Sequence, residues 1–316
     1  MKTPQLKTML PAIALSLAFS FALTSVPAQA QTVADLIAQM KTKWNAPSEP
    51  FKVIDNVYYV GTAGLSSFLV TSPGGHVLID TGLPEANPII KANIAKLGFK
   101  LTDIKYLLNT HAHLDHTGGF AELKKETGAV MVASAADKPL LEGGYYPGQE
   151  NDEALKFPPV KVDRIVGQGD KITIPDPVGK GRNKRDLTLT AHMTPGHSPG
   201  CTTWTTVTRE KKWNHTVVFF CSATVALNKL AGANMTYPGI VEDYKKTFQT
   251  ARGIIADVFL APHPEMFKME DKRPLIGKYD VNPFIKAGEF HAFVRAAEKA
   301  FDEGLAKQKA ATEASK

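Results

Sequence analysis

Beyond its first thirty residues the 316-residue chain has no apolar run near the roughly 20 residues needed to cross a bilayer. The body of the chain is therefore expected to hold no membrane span. An excess of one charge is missing as well, since 37 basic residues stand against 31 acidic ones. So mild a margin excludes a nucleic-acid footprint. The compositions of disordered and collagen-like chains are also absent, because 43% hydrophobic and 22% charged residues fall in the globular range. Short-period repeats and an obvious linker are lacking. A length that allows two ordinary domains thus reads as one, residues 31–316, large enough to bury a core.

Cysteine is limited to Cys201 and Cys221. They bracket "CTTWTTVTREKKWNHTVVFFC", two β-rich runs around a polar turn, and a hairpin centred on Lys211 would set them face to face. Directly opposed strand positions strain a bridge. A disulfide and a reactive or metal-ligating thiol both stay open on this ground.

The one long apolar run is N-terminal. Lys2 and Lys7 precede the run Ala12 to Leu23, and Ala28-Gln29-Ala30 follows it. That is the order of a secretory signal, with cleavage expected after Ala30. A retained anchor is the competing reading, but about a dozen apolar residues are short for a span of roughly 20. Export, most simply to a bacterial periplasm, would permit disulfides. Removing the two lysines leaves a net excess of four basic residues. The local run "KGRNKR", Lys180 to Arg185, could bind an anion but reads first as a solvated loop.

Periodicity gives a coarse order of elements. "VADLIAQM" reads as a short amphipathic helix, then "FKVIDNVYYVGT", "LSSFLVTS" and "GGHVLIDTG" as three strands. "NPIIKANIAKLG" is a helix stopped at Gly98. "DIKYLLNTH" is a strand, followed by a helix from Asp115 to about Thr127 and the strand "AVMVAS". Glu142 to Val160 is a long Gly-, Pro- and aromatic-rich segment, either a pocket-lining loop or a plain surface excursion. Strands resume at "KITI" and "DLTLTAHM", and after the hairpin come a helix, the strand "DVFLAPH" and a last helix from Phe284. Two β-rich halves, each closed by helices, suggest two packed sheets with helices outside.

The residues that carry chemistry are concentrated. "NTHAHLDHTGG", residues 109–119, places three histidines and an aspartate within six residues at a strand end. His111 and His113, two apart, point to one side of an extended chain and can grip one ion. Asp115 and His116 reach a second position. Several imidazoles with one carboxylate suit zinc or another late first-row metal better than magnesium or calcium. Four ligands cannot fill two ions, so more are required. His197 in "TPGHSPG" and His263 in "LAPHPEMF", each held at a strand end by glycine or proline, are the candidates.

On H-x-H-x-D-H, on these two histidines and on "LIDTG" at Leu78 to Gly82, the chain resembles the metallo-β-lactamase family across essentially its whole mature length. The resemblance implies an αββα sandwich with the site at strand ends between the sheets. It implies one zinc on His111, His113 and His197, and a second on Asp115, His116 and His263. It also implies that Asp80 accepts a hydrogen bond from a ligand imidazole, although an ordinary turn aspartate in "DTG" is the alternative.

Fold does not settle activity in this family. Its thioesterases, lactonases and phosphodiesterases usually carry a metal-bridging aspartate before the last histidine, and "VVFFCSATVALNKL" holds no acid. His116, together with Ser222 on that strand, resembles subclass B3 of the β-lactamases. Ser222 would then orient water near the second metal, and Thr224 would bind a substrate carboxylate. Cys221, one residue from Ser222, would face the other side of the strand and be structural or disulfide-bonded. "YPGIVEDYKKTF", "APHPEMFKMEDK" and "NPFIKAGEF" share the resemblance. The departures are Ser198, close enough to alter substrate contacts, and the basic insertion.

The implied reaction is hydrolysis of the β-lactam amide by a hydroxide shared between two zinc ions, with Asp115 orienting the nucleophile. A small-molecule β-lactam would be the partner, with no nucleic acid and no membrane after signal cleavage, and a monomer is favoured. Another hydrolase of the fold and a weakly catalytic zinc-binding protein remain the alternatives. His76, His192, His215 and His291 stand without partners and read as surface or hydrogen-bonded residues. Tyr145 and Tyr146 read either as pocket wall or as surface.

Overall fold

The computed structural model describes residues 33–314, and the expected export signal lies outside the described residues. Helix α1 (Val33–Trp44) leads into strands β1 (Phe51–Ile54), β2 (Val57–Tyr59), β3 (Phe68–Ser72) and β4 (Gly75–Ile79). Helix α2 (Asn87–Lys96) and strand β5 (Ile104–Leu108) follow, then α3 (Leu114–Thr117), α4 (Phe120–Thr127), β6 (Val130–Ser134), α5 (Lys138–Gly143) and β7 (Arg164–Val166). The second half runs β8 (Lys171–Ile174), β9 (Leu187–Met193), β10 (Thr202–Glu210), β11 (Trp213–Phe219), α6 (Ile240–Arg252), β12 (Val258–Leu260), α7 (Met269–Lys272) and α8 (Glu289–Ala314).

Two mixed sheets result. The first orders its strands β1 to β7 in sequence, antiparallel through β4 and parallel from β4 to β7. The second runs β12-β11-β10-β9-β8, with β11–β12 as its parallel pair. Side-chain alternation decides which residues meet. In β4, Val77 and Ile79 enter the core between the sheets, while Leu78 turns to the outer face. Leu69, Leu107 and Met131 turn outward likewise and meet Ile90 and Ile94 of α2 and Phe120 and Leu123 of α4. On the far side, Phe290 of α8 packs on Phe220 and Phe259 at centroid distances of 5.3 and 5.5 Å. Helices therefore cover both outer faces. No helix of the described residues is long and apolar enough to cross a membrane.

Several elements differ from the periodicity reading. "FKVIDNVYYVGT" is a hairpin, not one strand, because Asp55 adopts a left-handed φ of 41° at the turn, a conformation aspartate tolerates. The helix expected from Asp115 to Thr127 is broken at Gly118-Gly119. A Cβ on Gly118 would lie 2.4 Å from Pro84 Cδ, and one on Gly119 would lie 2.2 Å from Asn87 Oδ1. The two glycines let the residue 84–87 turn pack onto the break. The last helix starts at Glu289 and not at Phe284, and β7 was not expected.

The β10–β11 hairpin pairs Glu210 with Trp213, so its centre lies between Lys211 and Lys212 and the cysteines fall one step out of register. Cys201 and Cys221 are joined as a disulfide with their Cα atoms 5.8 Å apart.

Candidate metal centre

Four of the ligand-type residues singled out above lie just beyond strand ends, and Asp115 and His116 stand on the short helix α3 that follows β5. His111 and His113 follow β5, His197 follows β9 and His263 follows β12. Parallel neighbours place such ends on one side of a sheet, and the second sheet's turns arrive opposite. Their donor atoms gather into two triads, His111–His113–His197 and Asp115–His116–His263, each with its atoms within 4.8 Å of one another. The triads adjoin: the rings of His111 and His116 are 4.3 Å apart.

The all-histidine triad is buried and held from outside. Asp80 accepts from the backbone N–H of Thr110 at 2.8 Å and from its hydroxyl at 2.6 Å. With that hydrogen committed, the Thr110 oxygen can only accept from His111 Nδ1, 3.0 Å away. The Nε2 of His111 is left buried without a hydrogen-bond partner. Asp80 thus acts on the imidazole through one hydroxyl and not by a direct bond. It does so from a left-handed backbone, φ 55°, a strain that persists only where surroundings over-determine it. Burial pushes its carboxyl up to about 6 despite the nearby His116 and the bonds from Thr110.

His197 donates Nδ1–H to the carbonyl of Thr224 at 2.7 Å, since a carbonyl can only accept. That carbonyl also receives the Tyr244 hydroxyl at 2.7 Å, and Asn228 donates to the carbonyl of His197 at 3.0 Å. Burial and the neighbouring imidazoles hold His111 and His113 well below the usual histidine range. Burial lowers His197 to about 4. Neutral imidazoles are the form that ligates a metal.

The second triad is bound mainly to itself. Asp115 Oδ2 lies 3.0 Å from His116 Nε2 and 3.4 Å from His263 Nε2. Burial alone would raise the Asp115 carboxyl, but the two facing imidazoles outweigh it and hold it well below its ordinary value. The same contact, against burial, holds His263 above its ordinary value.

The residues fit a metal on observations of the protein alone. His111 Nε2 and His113 Nε2 are buried ring nitrogens with no hydrogen-bond partner, a costly state unless a ligand satisfies them. Among the described residues no carboxylate other than Asp115 joins either triad. The sulfurs of Cys201 and Cys221 also lie near His111, but there are no free cysteines, so no thiolate competes among the described residues.

The remaining candidates are placed as follows. Ser222 Oγ is 3.3 Å from Thr224 Oγ1, which is 3.2 Å from His197 Nδ1, so both hydroxyls border the first triad. Ser198 does not face a substrate: it is buried and donates to Asp137 at 3.0 Å. Tyr146 is buried and stacks on His113 with centroids 4.0 Å apart, its hydroxyl unpartnered. His192 is satisfied by Thr205 at 2.8 Å and lies outside both triads. Sequence reasoning missed Thr110, Asn228, Tyr244 and above all Asp137. A signal existed for Asp137: "SAADKP" sits at the end of β6, the parallel neighbour of the strand that delivers His111.

Comparison with known proteins agrees with this geometry. Residues 61–209 match the family described as the Metallo-beta-lactamase superfamily. The solved structure of BJP-1, a subclass B3 metallo-beta-lactamase of Bradyrhizobium japonicum, is 55% identical with a TM-score of 0.79, covering 85% of this chain and 98% of that one. Native FEZ-1 metallo-beta-lactamase from Legionella gormanii is 35% identical with a TM-score of 0.76, covering 83% and 97%. The N-acyl homoserine lactonase AttM of Rhizobium radiobacter is 31% identical over 158 residues, 42% of this chain, which spans 56% of that protein's length. Fold and site together define a metal-binding hydrolase class. The chain belongs to the metallo-β-lactamase superfamily and, within it, to subclass B3.

Proposed function

We propose that this protein is an exported, zinc-dependent β-lactamase that binds two zinc ions and confers resistance to β-lactam antibiotics. The observation that carries the reading is the second triad, in which His116 stands beside Asp115 and His263 and, among the described residues, no further carboxylate joins the two triads. Zinc suits a donor set of five imidazoles and one carboxylate. When bound, the ions supply Lewis acidity and bring the pKa of water from 15.7 to about 7.

The chain's own residues do the rest. Asp115 presents a carboxylate oxygen into the cleft, where it accepts and orients a water proton during attack on the lactam carbonyl. Thr224, exposed beside His197, offers a hydroxyl to the carboxylate of the substrate, and Ser222 behind it positions water. No covalent enzyme intermediate is required, so neither serine is a nucleophile. The export signal over residues 1–30 sends the enzyme to the periplasm, where it works as a monomer.

The likeness to AttM favours a second reading, a lactonase, and the missing bridging aspartate argues against it. Nitrocefin and imipenem assayed beside an acyl homoserine lactone panel separate the two. Turnover of the β-lactams with none of the lactones supports the β-lactamase, and the reverse pattern overturns it.

A further inference from the structure

We propose that Asp137 is a positioning residue for the all-histidine triad, clamping the loop of His111 and His113 to the loop of His197. Its two carboxylate oxygens receive donors from both loops. From the first come the Asn109 side-chain amide at 3.2 Å and the Ala112 backbone N–H at 2.9 Å. From the second come the Ser198 hydroxyl, at 3.0 and 3.1 Å from the two oxygens, and the Gly200 backbone N–H at 2.9 Å. Ala112 stands between His111 and His113, and Ser198 directly follows His197. Each of the three imidazoles is therefore next in sequence to a residue bonded to this one carboxylate.

The clamp is built for a carboxylate. Asp137, Asn109, Ala112 and Ser198 are all buried, and every donor to Asp137 is neutral. Its own N–H is held by Ser134 Oγ at 3.1 Å. Only glycine fits at position 200, where a Cβ would lie 2.5 Å from Asp137 Cγ and 2.1 Å from Ser134 Oγ. Thr202 and Trp204 tie the entry of the first loop to β10 through the carbonyls of Thr110 and Asn109. Among the described residues, however, no backbone hydrogen bond joins residues 111–113 to residues 196–200. Beyond the ring contacts of His197 with His111 and His113, the ligand-bearing segments are hydrogen-bonded to a common group in Asp137. A group that only accepts satisfies this ring of donors, and the isosteric amide would turn an N–H₂ against them. Partners that orient metal ligands typically govern affinity by 10–100-fold.

The proposal rests on the triads binding metal, not on which substrate is cleaved. The test is zinc affinity of the full chain by competition with a chromophoric chelator, for Asp137→Asn, Ser198→Ala and, as a stability control, Val294→Ala in α8. Asp137→Asn is expected to weaken the tighter zinc by about 10–100-fold and to change the spectrum of the first cobalt equivalent. Ser198→Ala, which removes one donor, is expected to weaken it measurably but less, and Val294→Ala not at all. Parental affinity in Asp137→Asn overturns the proposal. An equal loss in Val294→Ala also does so, because the effect would then be one of general stability. Should Asp137→Asn not fold, Ser198→Ala decides, and unchanged affinity there overturns it. A parent that binds zinc but ignores β-lactams would sink the proposed function and leave this test intact.

Discussion

His111, His113 and His197 give their outer faces to the scaffold, whereas Asp115, His116 and His263 hold on to one another. The first set is locked by Thr110 and Asp80, by the Thr224 carbonyl and by a buried loop junction, and His111 is only 1% exposed. In the second set the side chains of Asp115 and His263 are each 17% exposed, and the Asp115 carboxylate is bonded to the other two members, at 3.0 Å from His116 and 3.4 Å from His263. One triad is thus neutral and pre-arranged, and the other is charged and open to the cleft. Pre-arrangement suits a site that must hold its ion throughout, and an exposed carboxylate suits the site that handles water and proton. The proposed function would thus divide holding from reacting along the line that separates what each triad is bonded to.

Four changes should break or sharpen that contrast. Asp115→Asn should cut kcat by about 10²–10⁴-fold, the usual worth of acid–base assistance, while zinc binding falls far less. Steady-state kinetics beside a zinc titration checks this, and parallel losses would erase the distinction between the triads. Thr110→Val keeps the shape but removes the hydroxyl between Asp80 and His111. It should weaken the first zinc by about 10–100-fold, read by chelator competition.

Replacing both Cys201 and Cys221 by alanine opens a loop of 20 residues. On loop closure alone this should cost about 3 kcal/mol, measured by denaturant unfolding. Tyr146→Phe should keep the stack on His113 and shed a buried hydroxyl that has no partner. Its stability should stay within about 1 kcal/mol of the parent, or rise, in thermal melts. A large loss would reveal an unseen partner for that hydroxyl.

The six ligand-type residues and the two-layered sheet core were legible because their signals are local. Histidines two apart at a strand end, and strands of alternating or continuous apolar residues, need no knowledge of distant chain. What supports the ligands was not legible. Asp137 acts across 61 positions on Ser198, and its place at the end of β6 marks it as a candidate without showing which donors it gathers. Ser198 itself read as close enough to alter substrate contacts, since it directly follows His197. The backbone turn after His197 sends it inward. Likewise the break at Gly118-Gly119 is set by the approach of Pro84 and Asn87 from another loop, which helix periodicity does not register. The half-step in the β10–β11 turn came from Lys211 taking a left-handed φ of 56°, a conformation lysine does not advertise.

The most direct test is hydrolysis of nitrocefin and imipenem by the zinc-loaded protein, repeated after exhaustive metal removal with a chelator and again after zinc is restored. Turnover is expected to fall to the buffer rate without metal and to return with about two equivalents of zinc, one for each triad of the proposed site. Full activity in the metal-free protein would contradict it.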